Sequence, residues 1–309
     1  MAPDPVTVAI PVLNGGEVLQ ETLAAVRAQR LERPLELLVA DSGSTDGSRE
    51  CALAHGAEVI DVAPGSFSHG GTRNLLMSRS SGSHVAFLTQ DATPAGETWL
   101  SRLLAAFELA PDVSLAYGPY RPRPGASPAV KRELDGFFRS LAPEGRPRVD
   151  RWSGPGLPPG PGPLTFFTDV NGCVDHAAWE RVPFREVPYA EDQHVARDML
   201  VAGYAKAFQP DAAVLHSHDY GPLELLRRSF DEGRALRDAY SWRAPAAPMR
   251  VALMLQRRVR DDARFAGGAR TAADSLRHHS LKLAGEALGS RAERLPASLR
   301  RGLSLERRA

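Results

Sequence analysis

Two stretches, Gly65-Ser66-Phe67-Ser68-His69-Gly70-Gly71-Thr72-Arg73-Asn74 and Phe87-Leu88-Thr89-Gln90-Asp91-Ala92-Thr93-Pro94, decide how this chain reads. The first is a glycine-punctuated loop running into a helix. The second is an apolar strand that stops on one carboxylate. Gly70 and Gly71 permit backbone conformations closed to other residues and let a ligand approach closely. Thr72 stands where an N-cap would leave the amides of the next turn facing an anion. Arg73 brings a fork of donors suited to phosphate oxygens. Val85-Ala86-Phe87-Leu88 is apolar enough for a strand buried on both faces. A carboxylate at the carboxyl end of such a strand lies where open α/β sheets bind ligands, and hard cations take oxygen donors. Either piece alone reads equally well as a Gly-rich turn or a helix-capping Asp. Together, in this order, they read as a diphosphate site beside a metal-binding aspartate, and so as chemistry on a nucleotide-activated substrate.

Outward from these stretches, strands and helices alternate through the first 120 residues. Strands are expected at 6–11, 35–41, 57–62, 84–88 and 114–120, and helices at 17–28, 44–55, 72–80 and 98–109. Ser44 or Thr45 is placed to cap the second helix. Such alternation predicts a parallel sheet covered by helices on both faces. Residues 121–141 read as helix after a Pro-rich turn. Residues 143–163, rich in Pro and Gly, fit neither helix nor central strand and read as a linker or a lid. Trp152 within them is suited to stacking on a sugar or to anchoring the loop. A strand is expected at 166–171 and a short helix at 176–181. A further helix opens on Glu191-Asp192, where two acids favour the helix dipole and need no other role. His216-Ser217-His218 follows a short strand, with both rings on one side. Everything beyond Leu223 reads helical. The domain division is therefore 1–240, with a nucleotide half at 6–120 and an acceptor half at 121–240, followed by a helical extension at 241–309.

Composition narrows the classes. The chain has 309 residues, is 43% hydrophobic and 24% charged, and carries a net charge of +1. These values suit a globular protein and give no sign of nucleic-acid binding. The charge is uneven: residues 249–309 hold 14 Arg or Lys against 6 Asp or Glu, an excess of eight positive charges, which leaves −7 on residues 1–248. Docking on the acidic body, a homodimer surface and peripheral adsorption to an anionic membrane are the three uses this tail suggests. Two cysteines are too few for a disulfide framework. No apolar run spans a bilayer and the first residues lack a leader pattern, so a soluble, cytoplasmic protein is expected.

These segments resemble family 2 glycosyltransferases over about residues 6–240. Ile10-Pro11-Val12-Leu13-Asn14 looks like the family's first-strand motif. Asp41-Ser42-Gly43-Ser44-Thr45-Asp46-Gly47-Ser48 is similar to its Asp-Asp-Gly-Ser-x-Asp-Gly-Ser signature, with Ser42 for the second Asp. Gln90-Asp91 falls on its Asp-x-Asp metal motif and Glu191-Asp192 on its Glu-Asp motif. The Phe67–Asn74 element and Thr89-Gln90-Asp91 look like its rhamnosyltransferase-like branch.

The resemblance implies an α/β GT-A fold, a mostly parallel sheet with helices on both faces and the helical appendage beyond it. It implies that Pro11, Asn14 and Asp41 hold nucleobase and ribose, and that His69, Gly70, Arg73, Asn74 and Gln90 lie near the diphosphate or sugar. It further implies Mg²⁺ or Mn²⁺ on Asp91 and His218, with His216 the second candidate, Asp192 as the base, and Glu191 orienting the sugar. The implied reaction is inverting transfer from a nucleotide-diphosphate donor, dTDP-rhamnose or similar, to a saccharide or polyprenyl-linked acceptor in cell-surface polysaccharide synthesis. Thr89 departs from the motif, so either Asp91 suffices or the metal role is diminished. A sugar nucleotidyltransferase and a non-catalytic nucleotide-sugar-binding protein are the competing functions. The first is disfavoured because Leu13-Asn14-Gly15-Gly16-Glu17 lacks a basic residue.

Overall fold

The computed structural model describes residues 4–63, 65–266 and 269–306. Strands β1 (Val6–Val12), β2 (Leu35–Asp41), β3 (Glu58–Asp61) and β4 (His84–Leu88) pair in parallel in the order β3-β2-β1-β4. They alternate with helices α1 (Gly16–Arg27), α2 (Ser48–Ala54) and α3 (His69–Arg79). The sheet continues through β9 (Asn171–Asp175), β6 (Val113–Tyr117), β10 (Ala205–Phe208) and β8 (Arg148–Asp150). Strand β9 runs antiparallel to both β4 and β6, and β8 antiparallel to β10. The sheet is therefore mixed beyond β4, not parallel throughout. A second, three-stranded sheet joins β5 (Thr93–Pro94), β11 (Val214–Leu215) and β7 (Tyr120–Arg121).

The two faces of β1 explain the layers. Val6, Val8, Ile10 and Val12 pack against Leu19, Leu23 and Val26 of α1, which recur at helical spacing. Ala9 faces the other way, toward Leu76 and Met77 of α3, Phe87, Phe138, Phe208 and Met199. Burying each large apolar side chain contributes about 1.5–3 kcal/mol, so a strand apolar on both faces is stable only between two helical layers.

Several boundaries move for local reasons. Helix α2 begins at Ser48, because the Ser44 hydroxyl bonds to Asp41 Oδ1 at 2.5 Å and Gly47 has φ +88°. Helix α3 begins at His69, and its cap is Ser68, whose Oγ accepts from the Gly71 amide; Thr72 lies inside the helix. The strand expected at 166–171 starts at Asn171, which accepts from Trp99 Nε1 at 2.8 Å and donates to the carbonyls of Pro119 and Ala212. The Pro/Gly stretch is tied down by β8, and Trp152 anchors it by donating to the Gly156 carbonyl at 3.0 Å.

The basic tail packs on the body. Helices α8 (Pro222–Tyr240) and α10 (Ala269–Gly289) cross so closely that a Cβ on Gly233, Gly285 or Gly289 would strike the facing backbone. Asp262 of α9 (Pro248–Ala266) is buried, accepts from Ser275 Oγ at 2.5 Å, lies 2.8 Å from His279 Nε2 and pairs with Arg132 of α5 (Pro128–Leu141). Glu133 of α5 holds Lys282 at 3.1 Å and His278 at 3.4 Å. Among the described residues no helix is long and apolar enough to cross a membrane.

Lys206 on β10 is fully buried, with Nζ 2.7 Å from Asp150 Oδ2 and 3.0 Å from the Pro163 carbonyl. Burial pushes its pKa down to about 8 against the pull of Asp150. Asp150→Ala strands that ammonium without a counter-ion. It should destabilise the fold by about 3–5 kcal/mol, read as a lower midpoint in urea.

Candidate active site

Three groups of residues meet at the carboxyl ends of β1, β2 and β4. The first is the pair of loops after β1 and β2. Asn14, at φ +51°, donates its amide to Ser44 Oγ at 3.0 Å and accepts the Thr45 amide at 2.9 Å. Gly15 and Gly16 donate to Ser48 Oγ and Asp46 Oδ2. These bonds pin the loops together beside Pro11 and the buried carboxylate of Asp41. Gln90 is a strut here: its side-chain amide both accepts from the Leu13 N–H at 2.9 Å and donates to the Leu13 carbonyl.

The second group surrounds Asp91. Pairing of Thr93 with Leu215 brings β11 beside the Asp91 turn. His216 Nδ1 lies 3.4 Å from Asp91 Oδ1, and His218 Nε2 lies 3.2 Å from Oδ2. Their ligand atoms all fall within 4.8 Å of one another. Thr89 Oγ1 donates to Asp91 Oδ1 at 2.8 Å, so the residue that departs from Asp-x-Asp steadies the remaining carboxylate. Burial would raise the Asp91 pKa, but the neighbouring His216 and His218 rings and the Thr89 hydroxyl hold it well below the usual range. Burial lowers the pKa of His218, with the charge of His216 adding to it, and this favours the neutral, ligating form. One carboxylate and two imidazoles form an open donor set that fits a divalent cation whose other ligands are oxygens. Both histidines are grouped with Asp91.

The third group is acidic. Helix α7 (Glu191–Val201) starts after Ala190, whose φ of +59° is costly for a residue with a Cβ. That turn delivers Glu191 onto Arg73, with Nη1–Oε1 at 2.8 Å. Arg73 is only 4% exposed and also grips Asp169, with Nη2–Oδ1 at 2.9 Å. Burial, with the charges of Glu191 and Asp192, pushes the Asp169 carboxyl well up despite Arg73. Glu191 is depressed, because Arg73 and His69 outweigh its burial. Asp192 is raised to about 7 by burial and then by Glu191, with Arg73 opposing.

This geometry corrects part of the loop reading. Arg73 is buried, and its guanidinium is engaged by Asp169, Glu191 and the His69 carbonyl. Asn74 spends its amide on the Phe184 backbone and Trp179 Nε1. Gly70 is there because a Cβ would strike the Arg185 carbonyl. His69 alone of the four keeps its ring toward the site, in edge contact with Phe67 and Tyr189. Asp169 escaped the sequence reading; its signal was one carboxylate in the apolar run Phe166–Val170. Tyr120 joins the second and third groups, with its ring 5.3 Å from His216 and its hydroxyl bonded to Thr168.

The sequence profile described as glycosyl transferase family 2 matches residues 7–162. The chain belongs to that family. It is 30% identical over 238 residues to the O-antigen chain rhamnosyltransferase RfbN of Salmonella typhimurium, covering 74% of this chain and 71% of that one. It is 28% identical over 236 residues to the O-antigen chain rhamnosyltransferase WbaN of Salmonella anatum, covering 74% and 70%. Among solved structures, the mannosyltransferase PcManGT from Pyrobaculum calidifontis, in complex with GDP-Man and Mn²⁺, superposes with a TM-score of 0.61 at 16% identity, covering 92% of this chain and 86% of that one. TarS from S. aureus in complex with UDP-GlcNAc gives 0.51 at 13% identity, covering 93% and 92%. The protein is a glycosyltransferase of GT-A fold, rhamnosyltransferase-like in sequence.

Arg73→Gln tests the buried clamp. Losing the cation between two buried carboxyls should cost about 3–5 kcal/mol, whereas an exposed phosphate ligand would cost under about 1 kcal/mol. The deficit in urea unfolding should grow from pH 5 to 8, because without Arg73 the carboxyls are tolerated only protonated.

Proposed function

We propose that this glycosyltransferase moves a deoxyhexose, rhamnose or a close relative, from a dTDP-linked donor to a saccharide or lipid-linked acceptor in cell-surface polysaccharide synthesis, with inversion at C1. The observation that carries this reading is the Asp91–His216–His218 corner, linked through the Tyr120 ring on His216 and the Tyr120 hydroxyl on Thr168 to the segment whose Asp169 shares Arg73 with Glu191. The relatives named as O-antigen chain rhamnosyltransferases support the choice of sugar and pathway.

Asp41, Asn14 and the backbone at Pro11 would hold the nucleoside, leaving the diphosphate over the Asp91 corner. A divalent ion held by Asp91 and His218, with His216 beside them, would supply counter-charge to the leaving diphosphate. The acceptor hydroxyl attacks C1 from the opposite face while the C1–O bond to the diphosphate breaks, its electrons staying on the phosphate oxygen. Asp192 takes the acceptor proton. Its pKa of about 7 makes it a base matched to neutral pH, and the source of that pKa is burial beside ionised Glu191. Arg73 keeps Glu191 ionised and fixed. The Thr89–Asp91 bond supports a working carboxylate and speaks against a degenerate site. Exposed Met249 and Leu253, with Arg250 and Arg257 on the same helix, support peripheral membrane contact through α9.

Two measurements test the reading. Transfer from dTDP-rhamnose should stop in EDTA and return with Mn²⁺ or Mg²⁺, and Asp91→Asn should bind neither dTDP nor Mn²⁺ tightly by titration calorimetry. Full turnover of Asp91→Asn in EDTA would sink the metal assignment.

For the base, kcat/KM should rise with pH through about 7 and level off above it, since Asp192 accepts a proton only when ionised. Asp192→Asn should lose that limb and about 10²–10⁴-fold in kcat, with dTDP affinity little changed.

A further inference from the structure

After helix α11 (Ala297–Leu303), residues 304–306 return to the rim of the site. Asp231, fully buried on α8, holds them: its carboxylate accepts from Ser304 Oγ at 2.7 Å and from the amides of Leu305 at 2.7 Å and Glu306 at 3.2 Å. The Glu306 carboxylate then lies between a guanidinium and an imidazole, with Oε1 3.3 Å from Arg228 Nη1 and Oε2 3.5 Å from His69 Nε2.

Both side chains belong to the wall of the candidate site. The Arg228 guanidinium lies 4.9 Å over the ring of Tyr189, two residues before Glu191, and its charge acts on the Tyr220 phenol. Tyr220 in turn stacks on His218, with centroids 5.2 Å apart. His69 packs edge-on to Tyr189 from the other side. An arginine and an imidazole converging from two elements on one oxyanion make a recognition geometry for phosphate. These two contacts are longer than the roughly 2.7–2.9 Å at which charge-assisted N–H···O contacts settle.

We propose that Arg228 and His69 form a phosphoryl-binding subsite, and that Glu306 is an internal anion occupying it until an incoming diphosphate takes its place. A diphosphate offers more charge and more acceptor oxygens than one carboxylate, so it can shorten both contacts while Asp231 keeps the strap folded alongside. The source of the diphosphate rests on the donor reading above; the subsite itself does not.

The test is calorimetric titration of the full chain with inorganic diphosphate in metal-free buffer, for wild type, Glu306→Gln and Arg228→Gln. Glu306→Gln should bind about two- to fivefold more tightly, the range for removing one competing, partly exposed ion pair. Arg228→Gln should bind more weakly than wild type. The His69 ring signals in NMR spectra should move on adding diphosphate to wild type and stay still in Arg228→Gln, provided its spectrum remains that of a folded chain. Equal affinity of wild type and Glu306→Gln, or unaltered His69 signals in wild type, would overturn the proposal. A parallel titration with dTDP and Mn²⁺ separates the two readings. If dTDP fails to bind while inorganic diphosphate follows the expected pattern, the donor assignment falls and the subsite stands.

Discussion

A buried guanidinium between two carboxyls organises this protein. Arg73 on α3 reaches Asp169 in the segment before β9 and Glu191 at the start of α7, so one side chain joins three elements distant in sequence. Taking these groups out of water is expensive, and only their close mutual pairing repays it. The chemistry of the site inherits that constraint. Arg73 keeps Glu191 ionised, Asp169 sits well above its ordinary range, and Asp192 is lifted toward neutrality by the negative charge of its neighbour. Three acidic residues of similar intrinsic pKa are thereby pushed apart into different protonation states.

The opposite wall depends on a much smaller device. The three-stranded sheet of β5, β11 and β7 has only two residues per strand, yet its pairing sets His216 and His218 against Asp91. Because the strand before Asp91 is central to the large sheet, the carboxylate is rigidly placed. The histidines approach it from a segment more than 120 residues later. Thr89 fits this arrangement: a hydroxyl donor beside Asp91 adds no negative charge and fixes the rotamer of the one carboxylate present.

The tail shows how charge and packing divide their roles. Its helices dock through glycine-mediated contact and through a buried network around Asp262 and Glu133, in which each carboxylate meets more than one cation or imidazole. Much of the basic excess nevertheless stays outward, on Arg250, Arg257, Arg260 and Arg264 of α9. The same extension brings Glu306 against Arg228 and His69, so the appendage packs at the rim of the candidate site.

Local sequence determined the strand–helix alternation of the first 120 residues, the carboxylate in the turn just after β4, and the acidic pair opening α7. These are written in apolar periodicity and in residue types at strand ends, which act over a few residues. Tertiary structure decided the direction of β9, which runs antiparallel to both neighbours, and its start, where Asn171 is held by Trp99 and by carbonyls from distant loops. It also decided the role of the Gly70–Asn74 element. A glycine pair, an arginine and an asparagine at a helix start suit a phosphate in isolation. The close approach of residues 184–186 and the two buried carboxyls turn those same groups inward. A charged side chain settles where its desolvation is best compensated, and that depends on partners folded in from elsewhere in the chain.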